Sequence, residues 1–167
     1  MYCYCLFCET QRCRRIAQLI EQTTGIRTIS PIILQREWKG KEYHEVPRNW
    51  LPGYIFLYSD EPLIPRFEFI GIIRWVGKGE LTGSDLEFAK TLYDQGGIMG
   101  TIRLAEEGDR CIVNDPIWEK MQGTIVKLDR GRKRCCVEFE FDQQKRTVWV
   151  GYDLVELTES LDQYNKA

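Results

Sequence analysis

The chain has 167 residues, of which 43% are hydrophobic and 12% aromatic, so it is long enough for one medium or two small folded domains and too apolar for a disordered protein. Its formal net charge of -2 excludes nucleic-acid binding through the field of the whole protein, so such binding would need a local basic patch. No run approaches the ~18 consecutive apolar residues of a membrane-spanning helix. The N-terminus lacks the basic region and cleavage site of a signal peptide, and seven cysteines without a paired framework fit a reducing compartment, so we expect a cytoplasmic protein with no membrane partner.

Apolar periodicity divides the first hundred residues into strands and helices. The helix expected at 9–22 carries Ile16, Leu19 and Ile20 on one face, and Gly25 is placed to end it. The strand expected at 54–58 is wholly apolar, which indicates burial on both faces. The expected order is a strand at 2–7, the helix at 9–22, a strand at 29–34 that turns at 39–41 and returns over 43–46, the strand at 54–58, a short helix at 63–67, a strand at 70–76 and a helix at 83–94.

The remainder of the chain has a different pattern. Gly96, Gly97 and Gly100 interrupt the periodicity, so residues 96–106 are expected to form a linker. Residues 107–158 contain short runs rich in Val, Ile, Phe and Trp with glycine at the turns, which is typical of strands, and residues 159–167 are expected to form a tail. The predicted fold class is therefore α+β, an α/β sandwich over residues 1–95 followed by a small β-barrel.

The strongest local charge lies within the expected barrel. Residues 127–134 contain five basic side chains against Asp129 alone, a net charge of +4 (5 − 1), and two more basic residues follow in the next turn. This pattern indicates either a solvated hairpin tip or a surface that contacts the phosphates of a nucleic acid. The candidate RNA-binding residues are Lys127, Arg130, Arg132, Lys133, Arg134, Lys145 and Arg146.

Several short motifs resemble the NusG family of transcription elongation factors. Gly108-Asp109 before an apolar run, followed by Gly123-Thr124-Ile125-Val126, resembles the KOW module, a small β-barrel that binds RNA or ribosomal protein. The aromatic first strand, the run Leu51-Pro52-Gly53-Tyr54 and the run Trp75-Val76-Gly77 resemble the N-terminal domain of the family, called NGN. The first strand contains cysteines and the chain does not open with a Trp-Tyr pair. In these features the chain is more similar to a specialised paralogue of the LoaP kind than to the general factor of the family.

The resemblance implies a fold and a polymerase contact. The NGN domain is expected to be a ferredoxin-like sheet with helices, and the KOW module a five-stranded, SH3-like barrel. In the family, the NGN domain docks an apolar and aromatic patch on the clamp coiled coil of the largest RNA polymerase subunit. Tyr54 and Trp75 could equally be core residues, whereas Leu51, beside Pro-Gly in a turn, is poorly placed for the core and is the better candidate. The matching positions are Tyr2, Trp50, Leu51, Tyr54 and Trp75.

Three arginines lie at the start of the first helix. Arg12, Arg14 and Arg15 oppose the helix macrodipole, so helix stability does not explain them. They form either a solvated face or, as the resemblance implies, a contact with the non-template DNA strand or the upstream duplex, where phosphate charge would compensate them.

The KOW-like barrel has two candidate partners. A ribosomal protein or a termination factor would need an exposed apolar surface, for which the candidates are Ile112, Phe139 and Phe141. A nascent RNA hairpin would be bound through the basic residues, with bases stacked on Trp118, Trp149 or Tyr152, and the local charge favours RNA. In some specialised paralogues this module folds as a helical hairpin, but the Val- and Ile-rich runs here favour a barrel.

Metal binding and catalysis have little support. Cys3, Cys5, Cys8 and Cys13 have partly zinc-like spacing, but in an extended strand Cys3 and Cys5 share a face and Cys8 lies on the other. Small buried apolar side chains are therefore the favoured role, a thiol-based redox sensor is a remoter alternative, and no cofactor is expected. His44 is the only histidine and has no nucleophile near it in sequence, so an enzyme is not expected.

These observations predict a monomeric transcription elongation regulator that binds RNA polymerase, promotes processive antitermination of a long operon and contacts nascent RNA through the barrel. The alternatives are a ribosome- or rRNA-binding KOW protein, and a NusG-like factor for pausing or for coupling transcription to translation.

Overall fold

The structure, a computed structural model, describes residues 1–63 and 69–157. Its helices are α1 (Cys13–Thr24), α2 (Gly83–Asp94) and α3 (Pro116–Lys120). No helix among these described residues is long and apolar enough to cross a membrane. The strands are β1 (Tyr2–Cys8), β2 (Arg27–Ile29), β3 (Ile32–Lys39), β4 (Glu42–Asn49), β5 (Tyr54–Ser59), β6 (Ile72–Trp75), β7 (Ile98–Met99), β8 (Ile102–Glu107), β9 (Arg110–Val113), β10 (Thr124–Asp129), β11 (Arg134–Phe141) and β12 (Gln144–Leu154).

The described residues form two compact units. The first contains residues 1–32, 49–63 and 69–99, and the second contains residues 33–48 and 100–157. The expected short helix at 63–67, apart from residue 63, and the expected tail at 159–167 lie outside the described residues.

The first unit is built on a four-stranded antiparallel sheet with the order β2-β5-β1-β6. Its two central strands are buried along most of their length, because residues 54–58 of β5 and residues 3–6 of β1 expose no more than 5% of their surface. Burial on both faces is the physical reason why β5 is wholly apolar, as its sequence predicts.

The two helices of the first unit cover opposite faces of this sheet. On one face, Ile16 and Ile20 of α1 pack in a cluster with Leu6, Ile55 and Leu57. On the other face, Phe88 of α2 stacks on Phe56 with 5.9 Å between ring centroids, and the Tyr58 hydroxyl donates a 2.7 Å hydrogen bond to the carbonyl oxygen of Ala89. Successive residues of β5 therefore serve opposite faces, as the two-residue period of a strand requires.

Two glycines of the first unit occupy left-handed backbone. Gly25 ends α1 at φ 73°, as predicted, and its N–H donates to the carbonyl oxygen of Glu21 at 2.9 Å. Gly53 has φ 93° in the turn before β5, and its carbonyl oxygen accepts a 2.7 Å hydrogen bond from the N–H of Cys8. A Cβ at Gly53 would lie 2.8 Å from Cε2 of Phe7 and 3.0 Å from the carbonyl oxygen of Cys8, so this turn fits against β1 only with glycine.

The second unit contains a five-stranded sheet with the order β10-β11-β12-β8-β9. Strands β12 and β8 pair in parallel and the other pairs are antiparallel, and the edge strands β9 and β10 approach each other, so the sheet is nearly closed. Val137, Phe139 and Phe141 lie at alternate positions of β11 and expose at most 2% of their surface, so they fill the inside. This module is therefore a set of strands, as predicted, and not a helical hairpin.

The second unit differs from expectation in two of its elements. Strand β8 begins at Ile102, inside the segment 96–106 that was expected to be a linker, and the helix α3 interrupts a region expected to contain only strands. Helix α3 forms because the Asp115 carboxylate accepts 3.1 Å hydrogen bonds from the N–H groups of Ile117 and Arg103, with Pro116 in the first turn. The Asp-Pro pair is a helix-start signal that the sequence already contained.

The predicted hairpin, with strands expected at 29–34 and 43–46 around a turn at 39–41, is present as β3 and β4. Its residues 33–48 lie with the second unit and not within the expected domain 1–95. Its β3 strand contacts β12: the Gln35 side-chain amide donates a 2.9 Å hydrogen bond to the carbonyl oxygen of Trp149, and the Arg36 guanidinium lies 3.5 Å from the carboxylate of Asp153. The hairpin and the barrel therefore form one structural body, which the order of elements along the chain does not indicate.

Replacing Gly53 with alanine tests the fit of the turn against β1. We expect Gly53→Ala to lower the free energy of unfolding by about 2–4 kcal/mol, because it combines left-handed strain with a clash against Phe7 and the Cys8 carbonyl. Gly25→Ala is the matched control, because Gly25 also has positive φ but a Cβ there would meet nothing within 4 Å. We expect Gly25→Ala to lower the free energy of unfolding by about 1 kcal/mol, measured by urea unfolding followed by circular dichroism. Equal losses for the two variants would contradict the packing account.

Candidate nucleic-acid interface

The basic turn of the second unit, residues 127–134, is ordered by its single acidic residue. Asp129 and Arg134 face each other across the pair β10 and β11. The Asp129 carboxylate accepts a 3.1 Å hydrogen bond from the backbone N–H of Arg132 and lies 3.4 Å from Nε of Arg134. These two donors, the Arg132 N–H first, hold the pKa of Asp129 below its ordinary value of 3.8.

The basic side chains of this turn have two roles. Arg130 lies 3.3 Å from a carboxylate oxygen of Glu106, which raises the pKa of Arg130, and Arg134 lies over the Trp149 ring at 4.7 Å from its centroid. These two arginines are bound to the barrel. Lys127, Arg132 and Lys133 are exposed, so they present positive charge to solvent.

Lys145 and Arg146 lie at the opposite end of the barrel. In the register of β11 with β12, Arg134 faces Gly151 whereas Glu140 faces Lys145, six positions further along β11, which is roughly 20 Å. Arg146 also donates from Nε to the carbonyl oxygen of Phe141 at 3.3 Å, so it supports the turn after β11. The structure therefore brings together the five basic residues of the turn and separates these two from them.

A groove beside the basic turn contains residues that the sequence analysis did not select. It has a volume of about 620 Å³, and Trp38 and Tyr43 of the hairpin expose 61% and 43% of their surface in it. Their rings meet edge to face, with 4.8 Å between centroids. The available signal was the position of both aromatic residues next to the basic turn Lys39-Gly40-Lys41. The groove is lined by Arg36, Glu37, Trp38, Tyr43, Arg132 and Arg134.

The lining of the groove contains more basic than acidic side chains, although Arg36 and Arg134 also pair with Asp153 and Asp129. It contains three arginines and one acidic residue, Glu37, whose carboxylate accepts a 2.9 Å hydrogen bond from Arg48. That hydrogen bond lowers the pKa of Glu37. Arginines beside exposed aromatic faces provide the two contacts that a nucleotide needs, one for phosphate and one for the base.

Most of the expected stacking and apolar contact residues of the barrel are buried. Trp118 and Tyr152 expose 1% and 4% of their surface, and Phe139 and Phe141 expose 2% and 0%, so the prediction that they lie on the surface is wrong. Alternation along β11 and β12 directs Phe139, Phe141 and Tyr152 to the inside of the barrel, whereas Trp118 is buried as part of α3. Ile112 and Trp149 are half-buried, and one face of Trp149 lies under Arg134.

The residues expected to bind polymerase differ in accessibility. Leu51, Tyr54 and Trp50 expose 1%, 3% and 8% of their surface, whereas Tyr2 and Trp75 are half-buried. The argument that Leu51 is poorly placed for the core is wrong, because the turn at 51–53 folds back against β1. Their contact with polymerase stays a prediction.

The three arginines near the start of α1 are exposed but do not share one surface. Arg12 pairs with Glu9 at 2.9 Å, and Arg12 and Arg15 flank a depression that Phe69 and Ile70 also line. Arg14 lines a different depression on the side of Thr28 and Asn49. Their contact with DNA stays a prediction.

The four N-terminal cysteines are buried in two groups. Cys8 and Cys13 belong to the cluster under α1, and Cys3 and Cys5 lie outside that cluster, as the alternation of a strand predicts. Burial raises the pKa of the Cys8 thiol to about 12, so it stays protonated at neutral pH. Within residues 1–63 and 69–157, no group of three His, Cys, Asp or Glu side chains is arranged to hold a metal ion.

Comparison with solved structures shows a likeness of fold. No family model and no curated protein matches this chain. The chain is similar to NusG of Thermotoga maritima, in a structure described as "Domain interaction in Thermotoga maritima NusG", with 17% sequence identity and a TM-score of 0.47 over 90% of this chain and 93% of that chain. A likeness at this identity and TM-score does not establish a family.

The pH dependence of stability tests the role of Asp129 in ordering the turn. Because folding lowers the pKa of Asp129, its stabilising effect should be present above the ordinary pKa of 3.8 and lost as the pH falls through the lower folded value. We expect Asp129→Asn to lower the melting temperature at about pH 7 and to have a smaller effect at about pH 3. Glu140→Gln, an exposed carboxylate at the other end of β11, is the control for loss of one surface charge. A penalty for Asp129→Asn that is the same at both pH values would contradict this account.

Proposed function

We propose that this protein is a transcription elongation regulator of the NusG family, a specialised paralogue of the LoaP kind that promotes processive antitermination. In this proposal the first unit binds RNA polymerase, the second unit binds nascent RNA, and the protein acts by binding and not as an enzyme. The observation that carries the proposal is the exposed basic turn at 127–134, ordered by Asp129 and adjacent to an arginine-lined groove.

The basic turn supports the RNA contact. Lys127, Arg132 and Lys133 are exposed within eight residues of chain, and a chain with a net charge of -2 concentrates positive charge there. Contacts of this kind act mainly on phosphates, so they supply affinity and depend on salt. Burial of Phe139 and Phe141 removes two of the three apolar side chains that a ribosomal protein would contact, which favours RNA over that partner.

The polymerase contact is supported by the motifs of the first unit and by the accessible residues near β6. Tyr2 and Trp75 retain part of their surface, and Ile73, which the sequence analysis did not select, exposes 57%. Ile73 lies where the pairing of β1 with β6 changes register, which turns its side chain outward. We propose that these three residues contribute to the surface that docks on the clamp coiled coil of the largest polymerase subunit.

Transcription across a terminator tests the effect on elongation. In a single-round assay with the cognate polymerase and the operon's own leader, the protein should raise readthrough of an intrinsic terminator. A triple variant with Lys127, Arg132 and Lys133 replaced by alanine should lose this effect. Its affinity for the leader RNA should also depend less on salt. The slope of log affinity against log salt concentration should fall in magnitude by about 2, because each lost phosphate contact on a single strand contributes about 0.7.

Lys145→Ala is the control for this experiment, because it removes a positive charge from the opposite end of the barrel. It should leave readthrough and the salt slope close to those of the wild type. Unchanged readthrough with the wild-type protein, although polymerase binds, would contradict antitermination and favour a pausing or coupling factor.

A second measurement tests the polymerase surface. Ile73→Asp should weaken binding to purified polymerase by about tenfold or more, because a charge at the centre of an apolar contact is desolvated without a partner. Ile98→Asp, which changes an isoleucine of the same unit with 49% exposure, is the matched control. Equal affinities for the two variants would show that β6 is not part of the contact.

A further inference from the structure

We infer that the exposed pair Trp38 and Tyr43, together with the arginines of the groove, binds an unpaired base of single-stranded RNA next to the basic turn. The choice of RNA rests on the proposed function, whereas the stacking site is derived from the groove itself. The inference assigns a role to the hairpin of the second unit, which neither the motifs nor the basic turn includes.

The geometry of the hairpin brings the two aromatic side chains together. Trp38 lies near the end of β3 and Tyr43 near the start of β4, on either side of the turn at Gly40-Lys41. The two rings meet edge to face at 76°, so the pair covers only part of its own aromatic surface. The ring of Trp38 thus remains 61% exposed, although it is the largest apolar side chain of the hairpin.

Exposure on this scale needs a reason, because the barrel buries most of its large aromatic side chains and leaves Trp149 half-buried. Trp118, Phe139 and Phe141 expose at most 2% of their surface in the same unit. A solvent-exposed Trp–Tyr pair costs hydrophobic free energy that burial would recover, so a ligand with a flat apolar face is the partner that its geometry fits.

The cations of the groove identify that ligand as anionic. Arg132 of the basic turn and Arg134 at the start of β11 line the same groove as the aromatic pair. Arg36 lines it from β3, where the Asp153 carboxylate lies 3.5 Å from its guanidinium. A base on Trp38 would therefore have its phosphates close to guanidinium groups.

The groove favours an unpaired strand over a duplex. Its volume of about 620 Å³ is within the range of small-ligand sites, roughly 300–1,000 Å³, which suits one or two nucleotides and not a helix. Stacking on a side chain also requires a base that is free of its own neighbours, as in a loop or a single strand. The basic turn would then bind the backbone on one side while the hairpin holds a base.

Binding of a short RNA to the full chain tests the inference. The probe is a fluorescein-labelled, unstructured RNA of about ten nucleotides, with a duplex of the same length and a DNA of the same sequence as companions. Trp38→Ala should weaken binding of the single-stranded RNA by about tenfold, the effect of losing one stacked base, and should not change the affinity for the duplex. Trp38→Phe, which keeps an aromatic face, should restore most of the affinity.

The control is His44→Ala, which removes an exposed ring next to Tyr43 on the same strand but outside the groove lining. It should bind the single-stranded RNA as the wild type does. Melting temperatures of all variants should agree closely, because Trp38 and His44 are exposed, so a loss of affinity reports on contact and not on folding.

Four outcomes would overturn the inference. Wild-type protein that fails to bind the single strand, or Trp38→Ala that binds it unchanged, would show that the pair does not stack on RNA, and tighter binding of the DNA would reject RNA as the partner. Loss of polymerase binding in Trp38→Ala with unchanged RNA affinity would make the pair a protein contact. Readthrough in the terminator assay is measured independently of these results. The proposed function can therefore be correct when the stacking site is not, and the stacking site can be correct when the proposed function is not.

Discussion

The register of β11 between β10 and β12 is the constraint on which the arrangement of basic side chains in the second unit depends. It places Asp129 opposite Arg134, brings Arg134 over Trp149 and sends Lys145 to the far end of the barrel. A slip of one residue would exchange the faces of β11, so that Phe139 would leave the core and Arg134 would enter it. The buried Val137, Phe139 and Phe141 therefore secure the position of the charges as well as the stability of the barrel.

The two units differ in which side chains are accessible to a partner. The first unit covers both faces of its central strands with helices, and this uses Leu51, Tyr54 and Trp50 as packing residues. An interface there must depend on half-buried or exposed side chains such as Tyr2, Trp75 and Ile73. In the second unit the acidic residues Asp129, Glu106 and Glu37 each engage an arginine, and the remaining basic and aromatic side chains give the groove its chemistry.

The elements of the fold were largely predictable because they depend on local pattern. Aromatic and apolar runs predicted β1 and β5, the apolar period with Gly25 predicted α1 and its end, and the Val- and Ile-rich runs predicted a barrel in place of a helical hairpin. Helix α3 was missed although Asp115 and Pro116 form a helix-start signal, and β8 was missed because the glycines at 96, 97 and 100 suggested a longer linker. In both cases, residues that mark a turn or the start of a helix were interpreted without the element that follows them.

The sequence by itself determined most of the elements, the local charge of +4 at 127–134 and the motifs on which the proposed function rests. Only the tertiary structure decided which aromatic residues are accessible, because the face of a strand that is covered depends on what packs against it. Trp118 and Trp38 are equally apolar in the sequence, yet one exposes 1% of its surface and the other 61%. The same holds for the groove, since Arg36, Trp38 and Tyr43 lie about ninety residues before Arg132 and Arg134, and packing of β3 against β12 brings them together.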